Sequence, residues 1–293
     1  MKVLKFGGSS VGTATSIQFV KKIIEQAGSP VIVVVSALGG VTDQLLTLTH
    51  LAAKGDESYV AQLNALVQRH HELINQVIDD SKRSPLLQRV DTLLDELRSI
   101  LHGVCLIQDL TPKTSDAIVA YGERISSEIV AQLITGATHY DSRKFIKTEH
   151  KSDKHLVDFN ATNKLVKQTF ASFSKGVAVM GGFIAQDVEN GRTTNLGRGG
   201  SDYTASILAA ALNAEALEIW TDVDGFMTAD PRTNPDATVI PQMTYAQAQE
   251  MCEAGAKVIY TPTLGPVAFK HIPVWVKNTF NPSAVGTVIL DPK

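Results

Sequence analysis

The 293-residue sequence has only two cysteines, no marked excess of charge of either sign, and no apolar run of membrane-spanning length. Cys105 and Cys252 lie far apart and lack metal-ligand spacing, so we expect reduced thiols that act as small core hydrophobes. The 27 basic and 30 acidic residues give no electrostatic footprint for nucleic acid or an anionic membrane. The start, MKVLKFGGSS, has too few apolar residues for a signal peptide. These absences predict a cytoplasmic protein that meets any anionic ligand locally.

Short β-branched runs alternate with longer helical patterns along most of the chain. The runs cover residues 3–6, 31–35, 177–180, 217–220 and 274–276. Such alternation is typical of a mostly parallel sheet that is covered by helices on both faces. With 44% hydrophobic residues, the chain has enough apolar material for either one large α/β unit or two lobes.

Residues 56–101 interrupt this alternation with apolar residues at helical spacing. Residues 81–85 contain Ser81 and Pro85 and predict a turn, so we expect a helical hairpin inserted into the sheet topology. A last strand is predicted at residues 286–290. The abrupt end after it suggests a piece of something longer.

A first glycine loop follows the first predicted strand. Lys5 precedes Gly7, Gly8 and Ser9, and a helical pattern follows. A tight turn into a helix N-terminus suits phosphate, and Lys5 would neutralise charge on a transferring phosphoryl group. The lysine stands before the glycines, so the loop matches neither a Walker A motif nor the dinucleotide GxGxxG pattern, and the latter mismatch argues against a dinucleotide-binding dehydrogenase. The alternative is an ordinary β-to-α turn with a solvated lysine.

A second glycine loop, residues 195–204, reads NLGRGGSDYT and precedes an apolar helix. Its glycines allow close backbone approach to a ligand, and Ser201 or Asp202 is a favoured N-cap. Arg198 offers a planar fork that matches a carboxylate. The alternative is a flexible turn whose Arg198 and Asp202 are solvated.

Two acids stand at the carboxyl end of the predicted strand 217–220, where open α/β sheets bind ligands. Asp222 and Asp224 would bind a ribose or Mg²⁺, or would only make local turn hydrogen bonds. Lys257, further along the chain, is either a second phosphate cation or a surface lysine.

Taken together and in order, the segments LKFGGSSVG, VVVSALGGVTDQLL, YGERISSEI, GRTTNLGRGGSDYTA, IWTDVDGFMTADPR and GAKVIYTPT resemble the aspartate kinase branch of the amino-acid kinase family. The insert and the IWTDVDG segment look closer to the kinase domain of bifunctional aspartate kinase/homoserine dehydrogenase. The resemblance implies a three-layer α/β/α sandwich with an acceptor-binding N-lobe, about residues 1–200, and a nucleotide-binding C-lobe, about residues 201–293. Regulatory ACT and homoserine dehydrogenase regions are absent from the sequence.

The resemblance also implies roles at matching positions. The catalytic residues would be Lys5, Asp202 and Lys257, with Asp202 organising the catalytic lysine. The acceptor site would contain Thr42, Glu123 facing the substrate ammonium, Arg198 holding its α-carboxylate, Gly199, Gly200 and Ser201. The nucleotide site would contain Lys5, Gly7, Gly8, Ser9, Thr221, Asp222, Met227, Arg232, Lys257 and Val258. The chain departs from many relatives at Met227, where they have Tyr, and at Tyr260-Thr261, where they have His-Pro.

The implied reaction moves the γ-phosphoryl group of ATP, with Mg²⁺, to the side-chain carboxylate of L-aspartate, the first step towards lysine, threonine and methionine. A homo-oligomer, possibly fused to regulatory and homoserine dehydrogenase domains, is implied as well. Three alternatives stay open: a kinase of glutamate or acetylglutamate, a nucleoside monophosphate kinase, and a non-catalytic nucleotide-binding subunit. An acetylated substrate would leave Glu123 without a cationic partner. Loss of Lys5 or Asp202 would have favoured the non-catalytic subunit, and both are present.

Overall fold

The structure, a computed structural model, describes residues 1–151, 154–229, 233–234, 236–256 and 258–291. Strands and helices alternate in it as the sequence predicts. The strands are β1 (Lys2–Phe6), β2 (Val31–Val35), β3 (Ala137–Tyr140), β4 (Lys147–Lys151), β5 (Lys154–Val157), β6 (Val177–Gly181), β7 (Ile184–Asp187), β8 (Thr193–Asn195), β9 (Ala216–Thr221), β10 (Gln242–Met243), β11 (Val274–Asn278) and β12 (Thr287–Ile289).

The helices surround this framework. They are α1 (Gly8–Val11), α2 (Ala14–Gln26), α3 (Val41–Ala53), α4 (Tyr59–Val77), α5 (Asp80–Ile107), α6 (Pro112–Val119), α7 (Tyr121–Leu133), α8 (Phe159–Thr169), α9 (Gly200–Ala211), α10 (Tyr245–Glu253) and α11 (Leu264–Phe269). Short 3₁₀ turns lie at Ser142–Lys144 and Thr261–Thr263.

The main sheet has the order β10-β12-β11-β9-β1-β2-β6-β3 among the described residues. The pairs from β11 through β3 are parallel, and β12 is antiparallel to β11. The six predicted strands are β1, β2, β6, β9, β11 and β12, and the prediction of a mostly parallel sheet is confirmed. A smaller sheet, β5-β4-β7-β8, carries the segment that leads into the second glycine loop.

Helices cover both faces of the main sheet and make the fold three-layered. Along β2, Val33 packs into an apolar core with residues of α2 to α7, whereas Val34 packs into a second core with residues of α9 to α11. Every residue of β2 is at most 1% exposed, which is the burial that a central parallel strand requires. Cys105 and Cys252 are free and half-buried against these two cores.

The predicted helical hairpin is α4 and α5, but its turn lies at Ile78 and Asp79 and not at residues 81–85. Pro85 lies inside α5, where it removes one backbone hydrogen bond. The buried residues of α5 continue through this position in one stripe: Leu86, Val90, Leu94, Leu97, Leu101 and Val104. Burial of several leucine-sized side chains, at about 2 kcal/mol each, outweighs that single loss.

The parallel strands end at one edge of the sheet, and backbone hydrogen bonds join their ends. The N–H of Gly7, just after β1, donates to the carbonyl of Trp220 in β9 at 3.2 Å. The Ser36 N–H donates to Phe6 and the Gly182 N–H to Val35. The loops after β1, β2, β6 and β9 therefore meet, as ligand sites in open α/β sheets require. In the described part of the chain, no helix combines the length and apolar character that crossing a membrane would need.

Leu97→Ala in α5 tests whether the hairpin belongs to the core. Leu97 is fully buried, so its truncation should lower the free energy of unfolding in urea by about 2–5 kcal/mol. Leu106→Ala is the matched control on the same helix, because Leu106 is 71% exposed and should change it by less than about 0.5 kcal/mol. Equal losses from both variants would contradict this assignment of the core.

Candidate active site

A cavity of about 610 Å³ lies at the carboxyl edge of the sheet, between the two glycine loops. All six residues predicted for the acceptor site line it: Thr42, Glu123, Arg198, Gly199, Gly200 and Ser201. Lys5, Gly8 and Asp202 line it too. The structure thus brings together side chains that are up to 197 positions apart in the sequence.

Lys5 and Asp202 form an ion pair in the cavity wall. The Lys5 Nζ lies 2.7 Å from the Asp202 Oδ1, and the two side chains are only 11% and 12% exposed. A Cβ on Gly7 would stand 3.4 Å from the Lys5 Nζ, in ordinary van der Waals contact, so the ammonium group lies directly beside the first glycine loop. The pair holds a cation at the end of β1, beside the first turn of α9.

The N-cap prediction for α9 is wrong, because neither Ser201 nor Asp202 occupies that position. Gly199 is the N-cap, with φ at +67°, a left-handed conformation that favours glycine. Asp202 lies in the first turn of α9 and is directed to Lys5. The first glycine loop also differs from expectation, since the short α1 separates it from α2, whose N-cap is Thr13.

Glu123 is buried at the start of α7 and is only half satisfied. Its Oε1 accepts a hydrogen bond from the Ala37 N–H at 3.1 Å, whereas its Oε2 has no partner among the residues that the structure describes. Burial raises the pKa of Glu123 to about 8, although the Ala37 hydrogen bond and the charge of Lys5 act in the opposite direction. A Cβ on Gly181 would stand 2.9 Å from the Glu123 carbonyl oxygen, so close packing fixes this turn of α7.

Arg198 lies in the loop between β8 and α9, flanked by Gly197 and Gly199, both with positive φ. Its side chain is exposed and has no hydrogen bond or ion pair with the described residues. The cavity therefore presents an unpaired guanidinium on one wall and an unsatisfied carboxyl oxygen on another. That pairing is complementary to a ligand carrying both a carboxylate and an ammonium group.

The residues predicted for the nucleotide lie mostly outside this cavity. Thr221 and Asp222 follow β9, and the Thr221 hydroxyl donates to the Asp222 Oδ1 at 3.2 Å. Met227 forms an isolated antiparallel β-bridge with Val239, and Val258 is half-buried against the second core. Gly7, Gly8 and Ser9 lie at the start of α1. Arg232 and Lys257 lie outside the described residues.

Sequence reasoning missed several lining residues: Ser36, Asp43, Asp116, Phe183 and Asn195. Phe183 has φ at +65°, which is unusual for a bulky residue and costs on the order of 1–2 kcal/mol. The glycine pair before it, Gly181 and Gly182, was the available signal in the sequence. Asp224 accepts from the side-chain amide of Asn278 at 2.8 Å, a contact with a residue 54 positions along the chain that differs from the local turn hydrogen bond of the alternative.

Comparison with known proteins gives consistent relatives. The sequence model of the amino acid kinase family matches residues 1–278. The chain is 33% identical over 293 residues to bifunctional aspartokinase/homoserine dehydrogenase 1 of Arabidopsis thaliana, covering 98% of this chain and 32% of that protein. It is 32% identical over 294 residues to lysine-sensitive aspartokinase 3 of Escherichia coli K12, covering 98% and 63%. The chain thus spans about a third of the bifunctional relative.

Among solved structures, E. coli aspartokinase III in complex with aspartate and ADP is similar, with a TM-score of 0.90 and 30% identity. The match covers 100% of this chain and 65% of that one. Uridylate kinase from Archaeoglobus fulgidus, at a TM-score of 0.53 and 19% identity, shares the fold alone.

Glu123→Gln tests the buried acid. In the unfolded chain the pKa of Glu123 returns to 4.5, and in the folded chain it is about 8. Protonation therefore stabilises the fold fully below pH 4.5, and this contribution is lost as the pH rises to about 8. The free energy of unfolding of the native chain, measured relative to Glu123→Gln, should fall by a few kcal/mol between pH 5 and pH 8. A difference that stays constant with pH would rule out the raised pKa.

Proposed function

The chain belongs to the amino acid kinase family, and from that membership we propose that it is the kinase domain of an aspartate kinase. It transfers the γ-phosphoryl group of ATP to the side-chain carboxylate of L-aspartate and yields 4-phospho-L-aspartate and ADP. One observation carries the proposal: the unsatisfied Glu123 Oε2 and the unpaired Arg198 guanidinium line one cavity together with Lys5.

The acceptor side of the cavity suits a free amino acid. Arg198 would hold the α-carboxylate through two parallel N–H donors. The substrate ammonium would donate to the Glu123 Oε2 and offset the burial that raises the pKa of this residue. Thr42 and the N–H groups of the first turn of α9 complete the polar lining. The relative whose structure contains aspartate and ADP supports this choice of acceptor.

Two alternatives make poorer use of these groups. An N-acetylated amino acid brings no ammonium, so Glu123 would have no cation to meet. A nucleoside monophosphate brings neither an ammonium nor an α-carboxylate. L-Glutamate has both groups and differs from L-aspartate by one methylene, so it is the acceptor against which the proposal must be tested.

The chemical difficulty of the reaction is charge. The aspartate side chain has an ordinary pKa near 4 and is already ionised at neutral pH, so no general base is required. An anionic nucleophile must approach an anionic triphosphate. Lys5, held by Asp202 at 2.7 Å, places a fixed cation at the end of β1 to stabilise charge on the transferring group.

The nucleotide would approach from the C-terminal part of the chain, beside the acceptor lobe of about residues 1–200. We assign its phosphates to Gly7, Gly8 and Ser9 with Lys5 and Lys257, and the rest of it to Thr221, Asp222, Met227, Arg232 and Val258. In the described ranges no group of three or more His, Cys, Asp or Glu side chains is placed to hold a metal. Mg²⁺ would enter with ATP as part of the substrate, bound mainly by phosphates and water.

Properties of the whole protein belong to the same proposal. We infer a cytoplasmic homo-oligomer in which this domain is fused to regulatory and homoserine dehydrogenase regions. The support for fusion is that bifunctional relatives match over 32% of their own length.

Hydroxamate formation tests the reaction directly, because hydroxylamine traps an acyl phosphate. The purified chain, ATP, Mg²⁺ and hydroxylamine should yield hydroxamate with L-aspartate and much less with L-glutamate or N-acetylglutamate. A larger signal with either of the other two acceptors would move the assignment within the family. No signal with any acceptor would favour a nucleotide-binding subunit.

Lys5→Ala tests the role of the cation. Because Lys5 stabilises charge in the transition state, its loss should lower kcat by about 10²–10³ and change the KM for aspartate by only a few fold. Lys2→Ala is the control on the same strand, since the Lys2 Nζ pairs with Glu218 at 3.1 Å away from the cavity. A near-normal kcat in Lys5→Ala would contradict the assigned role.

A further inference from the structure

A short hydrogen-bonded chain connects the Arg198 loop to α6. The Asn195 side chain, at the end of β8, donates from Nδ2 to the Asp116 Oδ1 at 2.6 Å. Its Oδ1 accepts from the N–H of Gly197 at 3.0 Å. One amide therefore links the backbone beside Arg198 to a carboxylate on a different element.

The loop around Arg198 loses much backbone entropy when it becomes ordered. Gly197 and Gly199 flank Arg198 with φ at +71° and +67°, and glycine loses more backbone entropy on ordering than other residues. The Arg198 side chain has no partner among the described residues that would hold it. The loop is restrained instead through the backbone, by Leu196 N–H donating to Phe183 at 2.8 Å, and through the Asn195 side chain.

Asp116 lies on the same segment as Glu123. Ala120 is both the C-cap of α6 and the N-cap of α7, so the two helices join without an intervening loop. Asp116 is half-buried, and both it and Asn195 line the cavity. The Asn195–Asp116 hydrogen bond consequently connects the loop that contains Arg198 to the α6–α7 segment that contains Glu123.

We propose that Asp116 and Asn195 are positioning residues that set the separation of Arg198 and Glu123 and thereby select L-aspartate over L-glutamate. The inference rests on the proposed function. Arg198 and Glu123 fix the two α-substituents, so their separation determines how far the side-chain carboxylate reaches towards Lys5. A displacement of about 1 Å at this stage is enough to change a rate strongly. If the loop loosens, the α-carboxylate can retreat and a chain longer by one methylene fits.

The chemistry of the pair allows an exchange test. Asn195→Asp places a second carboxylate against Asp116, across a contact of 2.6 Å. Adding Asp116→Asn to Asn195→Asp restores one donor and one acceptor, now with the donor at position 116 and the acceptor at position 195. The amide introduced at position 116 donates to the carboxylate introduced at position 195, which still accepts from the Gly197 N–H.

We therefore compare Asn195→Asp, Asp116→Asn and the double variant, with Asp109→Asn as a control. Asp109 is exposed in the loop before α6, so Asp109→Asn removes one negative charge, as Asp116→Asn does, but away from the cavity. Asn195→Asp should raise the KM for aspartate about tenfold, leave the KM for ATP within about twofold, and lower the preference for aspartate over glutamate. The double variant should return both aspartate parameters to within about threefold of the native chain.

Two results would overturn the proposal. If the double variant is as impaired as Asn195→Asp, the pair does not position the loop. Asp116→Asn keeps an oxygen that can accept from the Asn195 amide, so a rise in the KM for aspartate as large as that of Asn195→Asp would show that Asp116 acts through something other than this hydrogen bond.

Hydrogen exchange separates this inference from the proposed function. Amide exchange over residues 195–199 should quicken in Asn195→Asp and slow again in the double variant, whatever the reaction is. A native chain that makes no aspartyl hydroxamate would refute the proposed function, and the exchange pattern would still decide whether the pair holds the loop. Unchanged exchange in Asn195→Asp would refute the positioning role.

Discussion

One constraint underlies the whole site: the strands β1, β2, β6 and β9 are buried and run parallel, so their carboxyl ends lie at the same edge of the sheet. Parallel strands need crossover connections, and here those connections supply the helices that cover the sheet. Each crossover leaves from the carboxyl end of a strand, so the loops after Phe6, Val35, Gly181 and Thr221 converge. The cavity is lined by residues that follow β1, β2 and β6 and by the second glycine loop, and these segments hold its polar groups.

The charges of the site divide into a pair that is satisfied within the protein and a pair that is not. Lys5 and Asp202 neutralise each other at 2.7 Å, which lets an ammonium group stay at a largely buried position. Arg198 and the second oxygen of Glu123 have no such partner within the described part of the chain. The unpaired groups are complementary to a ligand with a carboxylate and an ammonium group, and the ion pair holds a fixed cation in the same cavity.

The sequence was sufficient for features with local signals. β-branched runs located β1, β2, β6, β9 and β11, and the glycine motifs located both loops of the site. It failed where a local signal competed with burial or packing. Pro85 looked like a turn, yet the apolar stripe of α5 continues through it, and Ser201 and Asp202 looked like caps, yet Gly199 has that role. Asp116 and Asn195 meet only through the fold, and no pattern in a single sequence reports a contact across 79 positions.

Phe183 shows when the site acquires its shape. The residue keeps a left-handed backbone at the cavity wall, and its carbonyl accepts the Leu196 N–H that anchors the second loop. The unfavourable torsion is established as the chain folds, together with the burial that compensates for it. The cost of this torsion is therefore part of folding, and it is not added to the cost of binding a ligand in the cavity. The same torsion limits how far the stability of the protein can be raised without cost to the site. A substitution that relaxed the torsion would stabilise the folded chain but would leave the cavity wall less organised for its ligand.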